Sequence, residues 1–275
     1  MFDMKFNVMS REETVDHILE TGCSISRFGD GEAALMNFFS IPFQKHDKKL
    51  HKELREVYLS RDHRLLVCVP EPLMSDELLK QDSKDWWKKE LNPVRRIFWS
   101  RGIKDWTFHF GNTFLTRPYM SYEDKSHCPY VFSQIKKLWA GRNIVMIEGQ
   151  KSRVGIGNDL FDNASSVRRI LGPALDAYSK IDEIEAYIDE NISKDSLIML
   201  ALGPAATILS YRLAMAGYQS LDVGHLDIEY EWFRMGVNEK VPVKNKYTNE
   251  VAEGRIVSES LDDEMYRNQI LVDFT

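Results

Sequence analysis

Three stretches of this chain are apolar at successive positions rather than at every second one: Arg64-Leu-Leu-Val-Cys-Val-Pro70, Asn143-Ile-Val-Met-Ile147 and Leu197-Ile-Met-Leu-Ala-Leu202. A strand with one wet face alternates apolar and polar residues. A strand covered on both faces does not, and that is the habit of parallel sheets sandwiched between helices. The strand candidates are therefore 24–28, 65–69, 143–147 and 196–202, with a shorter one at 221–225. Amphipathic patterns at 47–60, 84–100, 130–140, 165–171, 181–192 and 205–216 read as helices between them. Ser10-x-x-Glu13 is a capping box that opens a first helix through about Leu19. Strands alternating with helices predict a Rossmann-like, open and mostly parallel α/β sheet flanked by helices. Ligands in such sheets sit beyond the carboxyl ends of the strands.

The chemically interesting residues do follow the predicted strands. Ser24-Ile-Ser-Arg-Phe-Gly-Asp-Gly-Glu32 ends on a turn in which Gly29 and Gly31 bracket Asp30, with Glu32 two residues on. Two carboxylates at that spacing can converge on one hard divalent cation that keeps positions open for phosphate oxygens. Arg27 adds a planar, permanently charged fork. After 143–147 comes the glycine-rich stretch Glu148 to Asp159, carrying Lys151, Arg153 and Asn158. After 196–202, Gly203-Pro-Ala-Ala-Thr207 opens a helix whose free N–H groups suit a phosphate. His225-Leu-Asp-Ile-Glu-Tyr-Glu231, if extended, points His225, Asp227 and Glu229 to one face. Each pattern also has a plain structural reading: an ion-paired turn, a strand-to-helix turn, a buried histidine. Trp86-Trp87, Trp99 and Trp106 read as the packing of a helical subdomain, with an exposed aromatic stacked on a sugar ring as the alternative, and Arg168 and Arg169 as surface partners of Asp159, Asp162 or Asp176.

Composition narrows the function classes. A net charge of -6 argues against nucleic acid as a partner. Three widely spaced cysteines, Cys23, Cys68 and Cys128, suit reduced core positions in a cytoplasmic protein better than a disulfide framework, and no Cys/His spacing resembles a zinc site. The opening Met-Phe-Asp-Met-Lys-Phe-Asn lacks a leader's apolar core, and no apolar run is long enough to span a bilayer.

The order of the pieces carries more than any one of them. Arg27-x-Gly-Asp-Gly-Glu32, Thr116-Arg-Pro-Tyr119, Arg153-x-Gly-x-Gly-Asn-Asp-Leu-Phe161 and Gly224-His-x-Asp-x-Glu-Tyr-Glu-Trp232 together resemble the GT-D type of glycosyltransferase, over roughly residues 10 to 241. The resemblance implies a metal-dependent, Rossmann-like transferase in domain 1–240, with 241–275 a C-terminal extension packed on it. It implies a UDP-sugar donor, typically UDP-glucose, and a glycan, glycoprotein or lipid-linked acceptor in bacterial surface glycan synthesis. Asp30 and Glu32 would bind Mn²⁺ or Mg²⁺, with His225 as a third ligand. Arg27, Gly29, Arg117, Lys151, Arg153, Asn158, Gly203 and Thr207 would hold the donor. Asp227, Glu229 and His225 are the candidates for acid–base work on the acceptor hydroxyl. Peripheral membrane contact and a homo-oligomer are both compatible with this reading. The competing readings are a metal-dependent phosphohydrolase and a non-catalytic nucleotide-sugar-binding domain.

Overall fold

A computed structural model describes residues 6–258 and 261–275; most of the opening segment examined for a leader, residues 1–5, lies outside it. Nine strands are formed among the described residues: β1 (Asn7–Val8), β2 (Ser24–Arg27), β3 (Leu65–Val69), β4 (His109–Asn112), β5 (Asn143–Gly149), β6 (Ser166–Gly172), β7 (Leu197–Ala201), β8 (Gln219–Asp222) and β9 (Ile270–Asp273). They make one open sheet in the order β1-β4-β3-β2-β8-β7-β5-β6-β9, and every pairing within it is parallel. The helices are α1 (Arg11–Thr21), α2 (Asp30–Leu35), α3 (Lys48–Leu59), α4 (Gln81–Glu90), α5 (Pro93–Ser100), α6 (Cys128–Ile135), α7 (Ile181–Asn191), α8 (Pro204–Met215), α9 (Leu226–Met235) and α10 (Glu264–Gln269). None is long and apolar enough to cross a membrane.

The continuous apolar runs have the expected cause. Along β3, Leu65, Val67 and Val69 enter one hydrophobic cluster, and Leu66 and Cys68 enter the other. In β5, Val145 and Ile147 part from Ile144 and Met146 in the same way. Both faces of the central strands are thus covered, and successive positions are apolar on either side. The three cysteines are buried and unpaired. The capping box at Ser10 is formed, with the Glu13 amide donating to Ser10 Oγ at 3.0 Å and the Ser10 amide to Glu13 Oε2 at 2.7 Å.

Three expectations need correcting. Residues 165–171 are not a helix but strand β6, paired with β5 along its length. Arg169 is consequently buried, with its Nη1 2.5 Å from Glu148 Oε1, rather than paired at the surface. The single helix expected at 84–100 is two, because Pro93 cannot continue α4 and Asn92 caps α5 instead. The last central strand lies at Gln219–Asp222 and stops short of His225.

The connections place the ligand crevice. From β5 the chain moves outward to β6, whereas from β7 it moves the other way to β8. The carboxyl ends of β5 and β7 therefore flank a topological switch point, the usual ligand position in open α/β sheets.

Candidate active site

A cavity of about 850 Å³ runs along the carboxyl edge of the sheet. Asp30 and Glu32 reach it from the first turn of α2, and Gly203 and Pro204 from the start of α8. Lys151 comes from the loop after β5, and Gly224 and His225 from the loop after β8.

The α2 turn is built by its own carboxylate. Gly29 caps the helix without a side chain, and its N–H donates to Glu32 Oε2 at 2.8 Å. Burial pushes the Glu32 carboxyl up to about 7, and the charges of Asp222 and Asp30 push in the same direction. Asp30 itself is exposed to the cavity. No group of three His, Cys, Asp or Glu side chains suited to a metal exists among the described residues. A cation at Asp30 and Glu32 would have to complete its shell with substrate or water oxygens, the usual arrangement for Mg²⁺.

Arg27 is fixed from below. Its Nη2 and Nε donate to Asp222 Oδ1 at 2.9 and 3.2 Å, Nε also to the Asp222 carbonyl at 2.7 Å, and Nη1 to Thr116 Oγ1 at 2.6 Å. Burial pushes the Asp222 carboxyl up, and Arg27 opposes it. This packing demands glycine at 224. Its φ is +43°, and a Cβ there would stand 1.8 Å from Arg27 Nη2. Gly236, the αL cap of α9 at φ +65°, has nothing within 4 Å of such an atom. Gly236→Ala should therefore cost about 1–2 kcal/mol of backbone strain. Gly224→Ala should cost more, about 3 kcal/mol, by also breaking the Arg27–Asp222 pair. Urea denaturation of the two variants checks the difference; equal losses would contradict it.

The segment after Gly224 is helical rather than extended, which redistributes its carboxylates. His225 is the N-cap of α9, and Asp227 and Glu229 sit in the first turn, where the helix dipole favours acids. Residues four apart share a face, so Asp227 lies with Glu231 and not with Glu229. Asp227 is 2% exposed. It accepts from the Gly155 amide at 2.9 Å, Asn158 Nδ2 at 2.7 Å and Lys246 Nζ at 2.7 Å. Lys246 also lies 3.0 Å from Glu231. Asp227 lines the cavity, and these contacts tie its carboxylate to the loop after β5 and to Lys246.

Glu229 faces elsewhere. Its Oε2 accepts from the Tyr119 and Met120 amides at 3.0 and 2.9 Å, holding the 116–120 loop, and burial pushes its carboxyl up against the opposing charge of Arg117. It does not line the cavity.

His225 does line it, but its Nε2 lies 2.6 Å from Asn249 Oδ1. Burial, helped by the charge of Arg117, lowers its pKa to about 4, so the ring is neutral near pH 7. This contact ties the ring to Asn249, and no metal-suited group of three joins it to Asp30 and Glu32 among the described residues.

The expected donor contacts divide in two. Arg27, Gly29, Arg117, Lys151 and Gly203 all line the cavity, with Arg117 Nη1 2.6 Å from Glu250 Oε1. Arg153, Asn158 and Thr207 do not. Arg153 is 1% exposed and donates to the Asn245 and Ser258 carbonyls at 2.9 and 2.6 Å. Asn158 holds Asp227 and Glu231. Thr207 donates to the Arg27 carbonyl at 3.0 Å from a fully buried position. These three shape the site without facing it.

The sequence reading missed a strap. Residues 239–250 cross one side of the cavity, and Glu239, Lys240, Tyr247, Asn249 and Glu250 line it. Burial alone would raise the Glu250 carboxyl; Arg117, His225 and Lys240 outweigh it and hold that carboxyl well below the usual range. Partners this far apart leave no local signal; the nearest hint is the alternation of Lys, Asn and Tyr across 244–249.

Comparison with known proteins agrees with this architecture. The family model described as the glycosyltransferase GT-D fold matches residues 25–251. A "Probable glycosyl transferase Gly" of Streptococcus gordonii is 37% identical over 270 residues, covering 98% of this chain and 39% of its own length. "Glycosyltransferase GlyD" of Streptococcus pneumoniae is 38% identical over 94% of this chain and 31% of its own. The chain thus spans about a third to two fifths of those curated relatives. Among solved structures, "A New Glycosyltransferase" from Streptococcus sanguinis superposes with a TM-score of 0.91 at 38% identity, covering 98% of this chain and all of the other. A domain described as having "a distinct glycosyltransferase fold" superposes at 0.92 with 35% identity, over 99% of this chain and 97% of that one. The chain belongs to the GT-D-fold glycosyltransferases.

Proposed function

We propose that this chain transfers a hexosyl unit, glucose foremost, from a UDP-sugar to a glycan, glycoprotein or lipid-linked acceptor, assisted by Mn²⁺ or Mg²⁺ at Asp30 and Glu32. The observation that carries this reading is the meeting, in one cavity, of an acidic turn and an anion-attracting helix start. The α2 carboxylates lie on the same lining as Gly203, Pro204 and Lys151 at the switch point.

The donor set fits a hard cation. It offers only carboxylate oxygens, and Glu32 is pushed up to about 7 by burial together with the crowding of Asp222 and Asp30. A positive ion relieves that crowding. When bound, it supplies Lewis-acid neutralisation of the departing diphosphate. The residues of the chain do the rest. Glu32 spends Oε2 on the Gly29 amide, and Asp30 is exposed at the cavity. The open start of α8 offers fixed positive potential to phosphate oxygens, and Lys151 lines the same cavity. Asp222, Asp227 and Glu250 are each neutralised by a cation of the chain, Arg27, Lys246 and Arg117 respectively. Among the described residues Asp30 and Glu32 are in no such ion pair, and Asp82 and Glu239 add further carboxylates elsewhere on the lining.

Calorimetry tests this. UDP should bind about tenfold more tightly with Mn²⁺ than with EDTA, and UMP or uridine should gain much less, having fewer oxygens to share with the ion. Equal UDP affinity in both conditions would contradict the metal assignment.

A further inference from the structure

The α4 wall of the cavity is not used by anything above. Trp86 is 43% exposed although it lines the cavity. Its ring is braced edge-on by Trp87, with centroids 4.8 Å apart at 87°. Trp87 is 8% exposed and packs in turn on Phe114 at 5.9 Å. An indole held from one side and open on the other is a rigid, low-entropy contact surface. Asp82 and Ser83 flank it one helical turn earlier, and all three face the cavity together with Lys80 at the start of α4. An apolar ring face bordered by a hydroxyl, a carboxylate and an ammonium matches a sugar ring, whose C–H face is apolar and whose edge is hydroxylated.

Position along the sheet says which sugar. The α4 wall adjoins Pro70 and Phe114, which follow β3 and β4. The anion-attracting start of α8 and Lys151 follow β7 and β5 at the other end of the cavity, with Asp30 and Glu32 in between after β2. A nucleoside diphosphate occupying the switch point leaves the α4 end for the incoming group. We infer that Trp86 is the stacking platform of the acceptor subsite and that the acceptor presents a sugar ring to it, with Ser83, Asp82 and Lys80 reading its hydroxyls. This rests on the transferase reading above.

Saturation-transfer NMR on the whole chain with UDP and Mn²⁺ tests the subsite directly, using methyl glucoside, methyl N-acetylglucosaminide and methyl cellobioside as probes. At least one probe should receive saturation from the wild type. Trp86→Ala should weaken that probe about tenfold, and Trp86→Phe should restore most of it, because a stacked ring is worth that much and a phenyl keeps the face. UDP affinity, measured alongside, should change by less than roughly twofold. Retained probe binding in Trp86→Ala, or no probe binding to the wild type, would overturn the subsite. So would a parallel loss of UDP affinity, which would place Trp86 under the nucleobase. If probes bind through Trp86 while UDP does not bind at all, the subsite stands and the nucleotide-sugar reading fails.

Discussion

Asp30→Asn is expected to lower sugar transfer by about a hundredfold or more, since a lost cation ligand removes most of the charge stabilisation at the leaving diphosphate. The Mn²⁺-dependent gain in UDP affinity should vanish with it. The melting temperature should hardly move, because Asp30 is exposed and holds no other element in place. Removing its charge also takes away one cause of the raised Glu32 carboxyl. Glu32→Gln is the informative companion. Its amide oxygen can still accept the Gly29 N–H that Glu32 Oε2 accepts at 2.8 Å, so the turn survives while the anionic ligand is lost. Steady-state kinetics with calorimetry on both variants checks this, and a fully active Asp30→Asn would contradict it.

The second large effect is on stability. Lys246 is 3% exposed and is the cation between Asp227 and Glu231. Lys246→Met leaves two buried carboxylates facing each other, and losing one partner of a buried pair costs about 3–5 kcal/mol. Asp227→Asn should cost less, about 1–3 kcal/mol, because an amide oxygen can keep part of the hydrogen bonding. Both should lose activity in step with stability, since the strap that brings Tyr247, Asn249 and Glu250 to the cavity is anchored there. Urea denaturation and kinetics on the same preparations decide it. Asp227→Asn with native stability, native UDP affinity and a slow chemical step would mark it as the base.

The central strands were legible because burial on both faces writes itself into successive residues, as in β3, β5 and β7. β6 was not, for a physical reason. Its first three residues, Ser166 to Arg168, are not buried, so its continuous apolar run shrinks to Ile170 and Leu171. The charge on Arg169 reads as surface until Glu148, 21 residues earlier, is known to meet it. The positions of the α2 turn, Gly203 and Lys151 were legible because chemistry follows strand ends in this fold. The parts of Asp227 and Glu229 were not. Whether a carboxylate faces a ligand or a lysine depends on Lys246 and on the 119–120 amides, contacts no spacing rule encodes. In the sequence Gly224 stands out only as part of a motif, whereas its cause is steric: the Arg27 guanidinium fills the place of a side chain.

The measurement that bears most directly on the whole reading is release of UDP from a panel of UDP-hexoses by the purified chain, with Mn²⁺ and with EDTA. Phosphate release from p-nitrophenyl phosphate is followed in parallel. UDP should appear with Mn²⁺ from one hexose donor, UDP-glucose foremost, and not with EDTA, and the phosphate ester should stay intact. Phosphate release without UDP release, or UDP binding with no turnover of any donor in the presence of acceptor or water, would contradict a metal-assisted glycosyl transfer at Asp30 and Glu32.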